Sequence, residues 1–147
     1  MALTPMVIVM SCYNDCVEDI ELLVKAAQKA LGAHGDGKNH TVAAAIKTGD
    51  GTIVTGLNVY HFTGGPCAEL SVLANALSSG KTDLKTIVAV GDRDRGILAP
   101  CGRCRQVLFD YSPDTAVIVM EEGKLAAKTI RELLPHAYDW NAEQSDA

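Results

Sequence analysis

Apolar positions along the chain change their period several times, and each change predicts an element. Ile20, Leu23, Val24, Ala27 and Leu31 recur at helical spacing, and Asp15 with Glu18 matches a capping box ahead of them. The spacing predicts a helix from about Val17 to Leu31, broken by Gly32, Gly35 and Gly37. Val42 to Lys47 and Thr52 to Tyr60 flank Thr48-Gly49-Asp50-Gly51, a turn sequence, so two antiparallel strands are expected. Gly64-Gly65-Pro66 stops the extended chain, after which Leu70, Leu73, Ala74 and Leu77 form an apolar helical stripe ending near Gly80. Cys67 falls at the start of that helix. Thr86 to Val90 reads as a short strand and Gly91 to Gly96 as a polar loop. Pro100 precedes a helix with Cys104, Val107, Leu108 and Tyr111 at helical spacing. Cys101 falls at its start. Thr115 to Met120 is a further strand, Glu121 to Lys124 a turn, and Lys128 to Leu134 a short helix closed by Pro135. Residues 1–16 read as an N-terminal extension and residues 141–147 as a loose tail. Without a linker or repeat, the pattern predicts one domain over 1–147, an α/β sandwich with helices covering a mixed sheet.

Composition narrows the class. At 147 residues, 48% hydrophobic and 21% charged, the chain has no run of about 18 apolar residues, and no membrane span is expected. The first basic residue is Lys25, so the charged start of a signal peptide is missing and a cytoplasmic protein is expected. Net charge is −5, and no stripe of Lys and Arg is present to neutralise phosphates. A small uncharged or cationic partner fits better than nucleic acid. Five cysteines are an odd number, and in a reducing compartment three in a metal-like pattern argue for thiolate ligation over disulfides. Cys12 and Cys16 read as bystanders.

Those three define the candidate chemistry. Cys67-Ala68-Glu69 is followed, 31 residues after Glu69, by Pro100-Cys101-Gly102-Arg103-Cys104. A catalytic zinc keeps three protein ligands and leaves a fourth position for water. Cys67, Cys101 and Cys104 would fill the three, one zinc per chain, with Glu69 as the proton shuttle. Two helix starts at one metal would stabilise thiolates through the helix dipoles. Three thiolates and Zn²⁺ sum to −1, which works against acidifying a bound water, and Arg103 is a candidate to offset that charge from just outside the ligands. Arg103 also reads as a plain solvated loop residue. A structural zinc would need a fourth ligand, for which His61 and Glu69 are the local options.

At these residues the chain resembles the cytidine deaminase superfamily, and within it the branch that deaminates the cytosine nucleoside antibiotic blasticidin S. The resemblance runs through Asn58 to Leu70, Arg95 to Leu98, Pro100 to Leu108 and Ile130 to Pro135. It implies a three-layer α/β/α sandwich with a mixed five-stranded sheet, a homotetramer with sites at subunit interfaces, and a zinc-dependent hydrolysis that turns cytosine into uracil and releases ammonia. It also implies substrate contacts at Asn58 and Ala68, with Tyr138, extended by Trp140, closing on the base; Tyr60 reads as pocket wall or as core, Tyr138 and Trp140 also read as a tail tucked against the surface, and Arg95 as a contact to substrate or to a neighbouring subunit.

Two departures separate the branches. Nucleoside salvage enzymes carry Asn-x-Glu where this chain has Asn58-Val59-Tyr60, and that acid holds a ribose hydroxyl. They also often place Arg where this chain has Leu70. Losing an acceptor built for a hydroxyl costs large discrimination factors, so cytidine is expected to be a poor substrate and blasticidin S the preferred one, with antibiotic resistance as the outcome. The competing expectations are a cytidine or deoxycytidine deaminase of pyrimidine salvage and, from another class, a non-enzymatic zinc- or nucleoside-binding protein.

Overall fold

Side-chain alternation in the central strands decides which helix covers which face of the sheet. The computed structural model describes residues 8–144, with side chains from Glu18 onward. The elements are α1 (Ile8–His34), β1 (Val42–Thr48), β2 (Ile53–Leu57), α2 (Ala68–Ser78), β3 (Leu84–Gly91), β4 (Gly96–Ile97), α3 (Gly102–Tyr111), β5 (Ala116–Glu121), β6 (Lys124–Thr129), α4 (Ile130–Leu133) and α5 (Trp140–Gln144). Strands lie in the order β2-β1-β3-β5-β6, and β4 pairs with β3 beside that path. β1 is antiparallel to β2 and β3, β3 is parallel to β5, and β5 is antiparallel to β6. The sheet is mixed as expected. Its sixth strand, β4, is two residues long and too short to register as a hydrophobic run.

Successive strand residues point to opposite faces. Ala43 and Ala45 of β1, Val88 and Val90 of β3 and Ile118 of β5 pack with Leu23 and Ala27 of α1. Ala44, Ile46, Ile87, Ala89, Val117 and Val119 face the other way, onto Val72, Leu73 and Ala76 of α2, Leu108 of α3 and Ile130 of α4. The two clusters make the three layers of an α/β/α sandwich. α2 also crosses β2 in backbone contact, since a Cβ on Gly56 would stand 2.6 Å from the amide nitrogen of Val72. That close crossing fixes where the first turn of α2 lies.

Several boundaries differ from the periodicity. α1 begins at Ile8, so Asp15 lies inside the helix and not at its cap; no Gly or Pro between Met6 and Leu31 stops a helix earlier. It also runs through Gly32 and ends at Gly35, whose amide donates to Leu31 O at 2.7 Å. Cys12 and Cys16 lie on α1, with side chains outside the described residues. β2 ends at Leu57, three residues before Tyr60, because the Asn58 side chain takes up the next backbone donors. Lys124–Thr129 is the strand β6, where a turn and the start of a helix were expected. Glu122 and Gly123 have φ of 50° and 78°, the pair of positive values a two-residue hairpin turn requires. The helix starts only at Ile130, where Thr129 and Glu132 form a capping box. α5 occupies Trp140–Gln144, where a loose tail from residue 141 was expected.

Candidate metal and catalytic centre

Cys67 and Cys101 are the N-cap residues of α2 and α3, both with extended backbones (φ −64°, ψ 161° and φ −68°, ψ 168°). Residues two apart in a helix interior diverge by roughly 200° about the axis. In the first turn they can both project past the helix end, which lets Cys67 and Glu69 serve one site. Cys104, three residues after Cys101, shares its face of α3. Cys67 Sγ and Cys101 Sγ are 3.8 Å apart, and the three sulfurs lie within 4.8 Å of one another. Sulfurs on a tetrahedral zinc with bonds of about 2.3 Å stand about 3.8 Å apart. The donor set fits zinc in spacing and in softness. Among the described residues it is the one such cluster, and neither His61 nor Glu69 belongs to it. His61 Nδ1 is instead within 2.5 Å of Thr63 Oγ1 and accepts from the Thr63 amide at 3.2 Å.

The surroundings split the three thiols. Burial pushes Cys104 far above the ordinary thiol range, and the Glu69 charge adds to it. Burial also raises Cys67. Cys101 pays the same desolvation penalty, yet the Cys104 amide, the neighbouring thiols and the Arg103 amide together bring it below the ordinary value. Glu69 is 7% exposed. Desolvation raises its pKa, offset in part by its own amide and by the Cys104 thiol. A carboxyl that holds its proton more firmly than usual suits proton transfer near neutrality.

A cavity of about 410 Å³ opens from these groups. Cys67, Ala68, Glu69, Cys101, Asn58, Tyr60 and His61 are among the residues that line it. Asn58 reaches it with a side chain already engaged: Oδ1 accepts from the amides of Thr41 and Val42 at 2.7 and 2.9 Å, and Nδ2 donates to Asn39 O at 3.0 Å. Tyr60 is 66% exposed at the rim. Tyr138 and Trp140 are exposed and do not line the cavity of their own chain. Arg103 Nη1 donates to Gly65 O at 3.3 Å, not to a sulfur. Arg95 donates to Thr41 O and Asp92 Oδ1, both at 2.7 Å. Arg105 ties α3 to Pro100 O and Leu133 O, each at 2.9 Å, an internal structural role.

Sequence reasoning missed the lobe between Asn58 and Cys67 as a unit. Val59 N donates to Pro66 O at 3.0 Å, and a Cβ on Gly65 would stand 1.6 Å from Val59 O. The Gly64-Gly65-Pro66 run, read only as a strand stop, was the signal: Gly65 is the residue that lets the two limbs touch.

Comparison with known proteins agrees with this geometry. Residues 17–120 match the model of the cytidine and deoxycytidylate deaminase zinc-binding region. A blasticidin-S deaminase of Bacillus cereus is 37% identical over 90% of this chain and 100% of its own length. A cytidine deaminase of Halalkalibacterium halodurans is 36% identical over 82% of this chain and 94% of its own. The crystal structure of cytidine deaminase from Burkholderia pseudomallei superposes with a TM-score of 0.68 at 32% identity, covering 80% of this chain and 98% of that one. Ligand spacing, fold and family match therefore converge, and the chain belongs to the cytidine and deoxycytidylate deaminase family of zinc-dependent hydrolytic deaminases.

Proposed function

We propose that this protein hydrolytically deaminates the cytosine ring of blasticidin S, giving its uracil analogue and ammonia and so conferring resistance to the antibiotic. The observation that carries the reading is Tyr60: a phenol ring stands at the cavity rim where the nucleoside salvage enzymes this chain resembles carry a sugar-binding acid. The full-length likeness to the Bacillus cereus enzyme supports it. When bound, zinc supplies the activation of the water that replaces the amino group. Cys67, Cys101 and Cys104 would hold it beside Glu69. Glu69 takes a proton from that water, delivers it to ring N3 and then assists the departing amine, so that water enters and ammonia leaves. The backbone of Ala68 and Cys101 steadies the ring beside it.

A second reading, a cytidine or deoxycytidine deaminase of salvage, is favoured by the Halalkalibacterium halodurans relative. Ultraviolet spectra of the zinc-loaded protein with each substrate separate the two. Loss of absorbance from blasticidin S with little loss from cytidine is expected, and the reverse order would overturn the ranking. By resemblance the assembly is a homotetramer, in which the exposed Tyr138 and Trp140 are free to close a neighbouring subunit's site. Light scattering on the purified protein reads that state directly. None of the described helices is long and apolar enough to cross a membrane.

A further inference from the structure

We propose that Asp36 is a positioning residue for substrate recognition: its carboxylate folds residues 36–40 into a turn whose Asn39 carbonyl holds both the Asn58 side chain and the Tyr60 backbone at the cavity. The inference rests on the reading of the cavity as the binding site of a cytosine nucleoside and extends it. Asp36 Oδ1 accepts from the amides of Lys38, Asn39 and His40 at 2.9, 2.7 and 2.8 Å, and the Asp36 amide donates to His40 O at 3.2 Å. Residues 35–41, between α1 and β1, lie in neither helix nor strand. No ladder fixes their shape, and a single carboxylate oxygen gathers three consecutive amides in its place.

That segment supplies acceptors to two stretches of the cavity lining. Asn39 O accepts from Asn58 Nδ2 at 3.0 Å and from Tyr60 N at 3.1 Å. His40 Nδ1, 2.7 Å from Asn58 O, must carry the proton of that bond, since a carbonyl only accepts. With Oδ1 taken by the Thr41 and Val42 amides, Asn58 has one N–H left, so it meets a substrate as a donor alone. Gly37 O and Thr41 O accept from the Arg93 and Arg95 guanidinium groups at 2.7 Å each, and Thr41 O also from the Asp92 amide at 2.9 Å. Asp92, Arg93 and Arg95 belong to the turn between β3 and β4 that leads to Leu98, which lines the cavity as Asn58 and Tyr60 do. All of these bonds lie within one chain, so they do not depend on what a neighbouring subunit covers.

Asp36 acts on the shape of the cavity more than on global stability. Its carboxyl is exposed, and the three amides, that of His40 foremost, hold its pKa down to about 2. It is an anion at any working pH, and Asp36→Asn would keep an acceptor oxygen while removing the charge. A turn fastened by one exposed side chain can open locally without unfolding the rest. Opening it withdraws Asn39 O from the donors that Asn58 and Tyr60 place there, so the loss falls on binding geometry.

The test is affinity for blasticidin S and for cytidine, measured on zinc-loaded Glu69→Gln protein so that turnover does not intervene. Adding Asp36→Ala should weaken the tighter of the two ligands about 3- to 10-fold, adding Asp36→Asn should restore it to within about twofold, and adding Asp36→Glu, whose extra methylene displaces the oxygen, should not. Zinc content should stay at the parent's level and the melting temperature within about 3 °C of it. With Glu69 intact, Asp36→Ala should raise KM while kcat stays within about twofold. Unchanged affinity in Asp36→Ala, an Asp36→Asn protein as weak as Asp36→Ala, zinc lost alongside affinity, or a fall in kcat with KM unchanged would each overturn the proposal. Turnover of both nucleosides by the wild type is read separately. Asp36-dependent affinity without turnover would count against the deaminase reading and leave the turn's role standing, while turnover with Asp36-independent affinity would do the reverse.

Discussion

Cys67 Sγ lies 3.8 Å from Cys101 Sγ, although the two residues are 34 apart in sequence and cap different helices. That separation is the one two sulfurs take on a single tetrahedral zinc. Before metal arrives, Cys67 and Cys104 hold their protons more firmly than ordinary thiols. Zinc binding must displace them, so affinity should rise with pH through the neutral range, with roughly two to three protons released per zinc at pH 7. Calorimetry in buffers of different ionisation enthalpy measures that number. Cys101→Ser should weaken zinc binding by more than the roughly 10- to 100-fold that loss of an outer partner costs. Full occupancy in that variant would remove Cys101 from the ligand set.

Gly65 makes a second prediction. Its Cβ would have to stand 1.6 Å from Val59 O, a backbone atom. Gly65→Ala should therefore push the lobe's limbs apart, costing roughly 1–3 kcal/mol in stability as overpacking does. Zinc content should stay intact, because the cysteines lie on α2 and α3, while kcat/KM falls about tenfold or more as the cavity rim shifts. Thermal unfolding and metal analysis on the same sample check both halves.

Tyr60 is the residue on which the two substrates should part. Tyr60→Glu restores the acid that salvage enzymes use for the ribose hydroxyl, and buried hydroxyl recognition yields large discrimination. The ratio of kcat/KM for cytidine to that for blasticidin S should rise by about tenfold or more. A ratio that stays put would show that Tyr60 does not set the preference.

The cysteine cluster was legible from sequence because each of its two elements is local. Cys67 and Cys101 follow Gly-Gly-Pro and Pro, and apolar stripes right behind them announce helix starts. The central strands were legible for a similar reason, as β-branched or alanine runs buried on both faces. β6 was not. Lys124 to Thr129 has no buried residue, its half-buried face is only Ala126 and Lys128, and its pairing with β5 follows the Glu122-Gly123 turn. The start of α1 misled because Asp15 and Glu18 satisfy a capping pattern that also occurs mid-helix. The lobe stayed hidden because its shape depends on backbone contact between Val59 and Gly65, which leaves no periodic trace.

Glu69 ties function to stability. Burial raises its folded pKa above the ordinary glutamate value, so the metal-free fold favours the protonated form. Its contribution is most favourable below about pH 4.5 and is lost as pH rises through the raised folded pKa. Metal-free Glu69→Gln, neutral throughout, should then melt a few degrees above wild type at about pH 7, with the gap closing near pH 4. Melting curves across that range decide it.

Turnover and zinc content measured together on Glu69→Gln give the most direct test of the site. With three cysteines untouched, the variant should hold one zinc per chain as the wild type does, while deamination of blasticidin S falls by about 10²- to 10⁴-fold. A variant that keeps its zinc and deaminates within a few-fold of wild type would contradict Glu69 as the group that moves the proton.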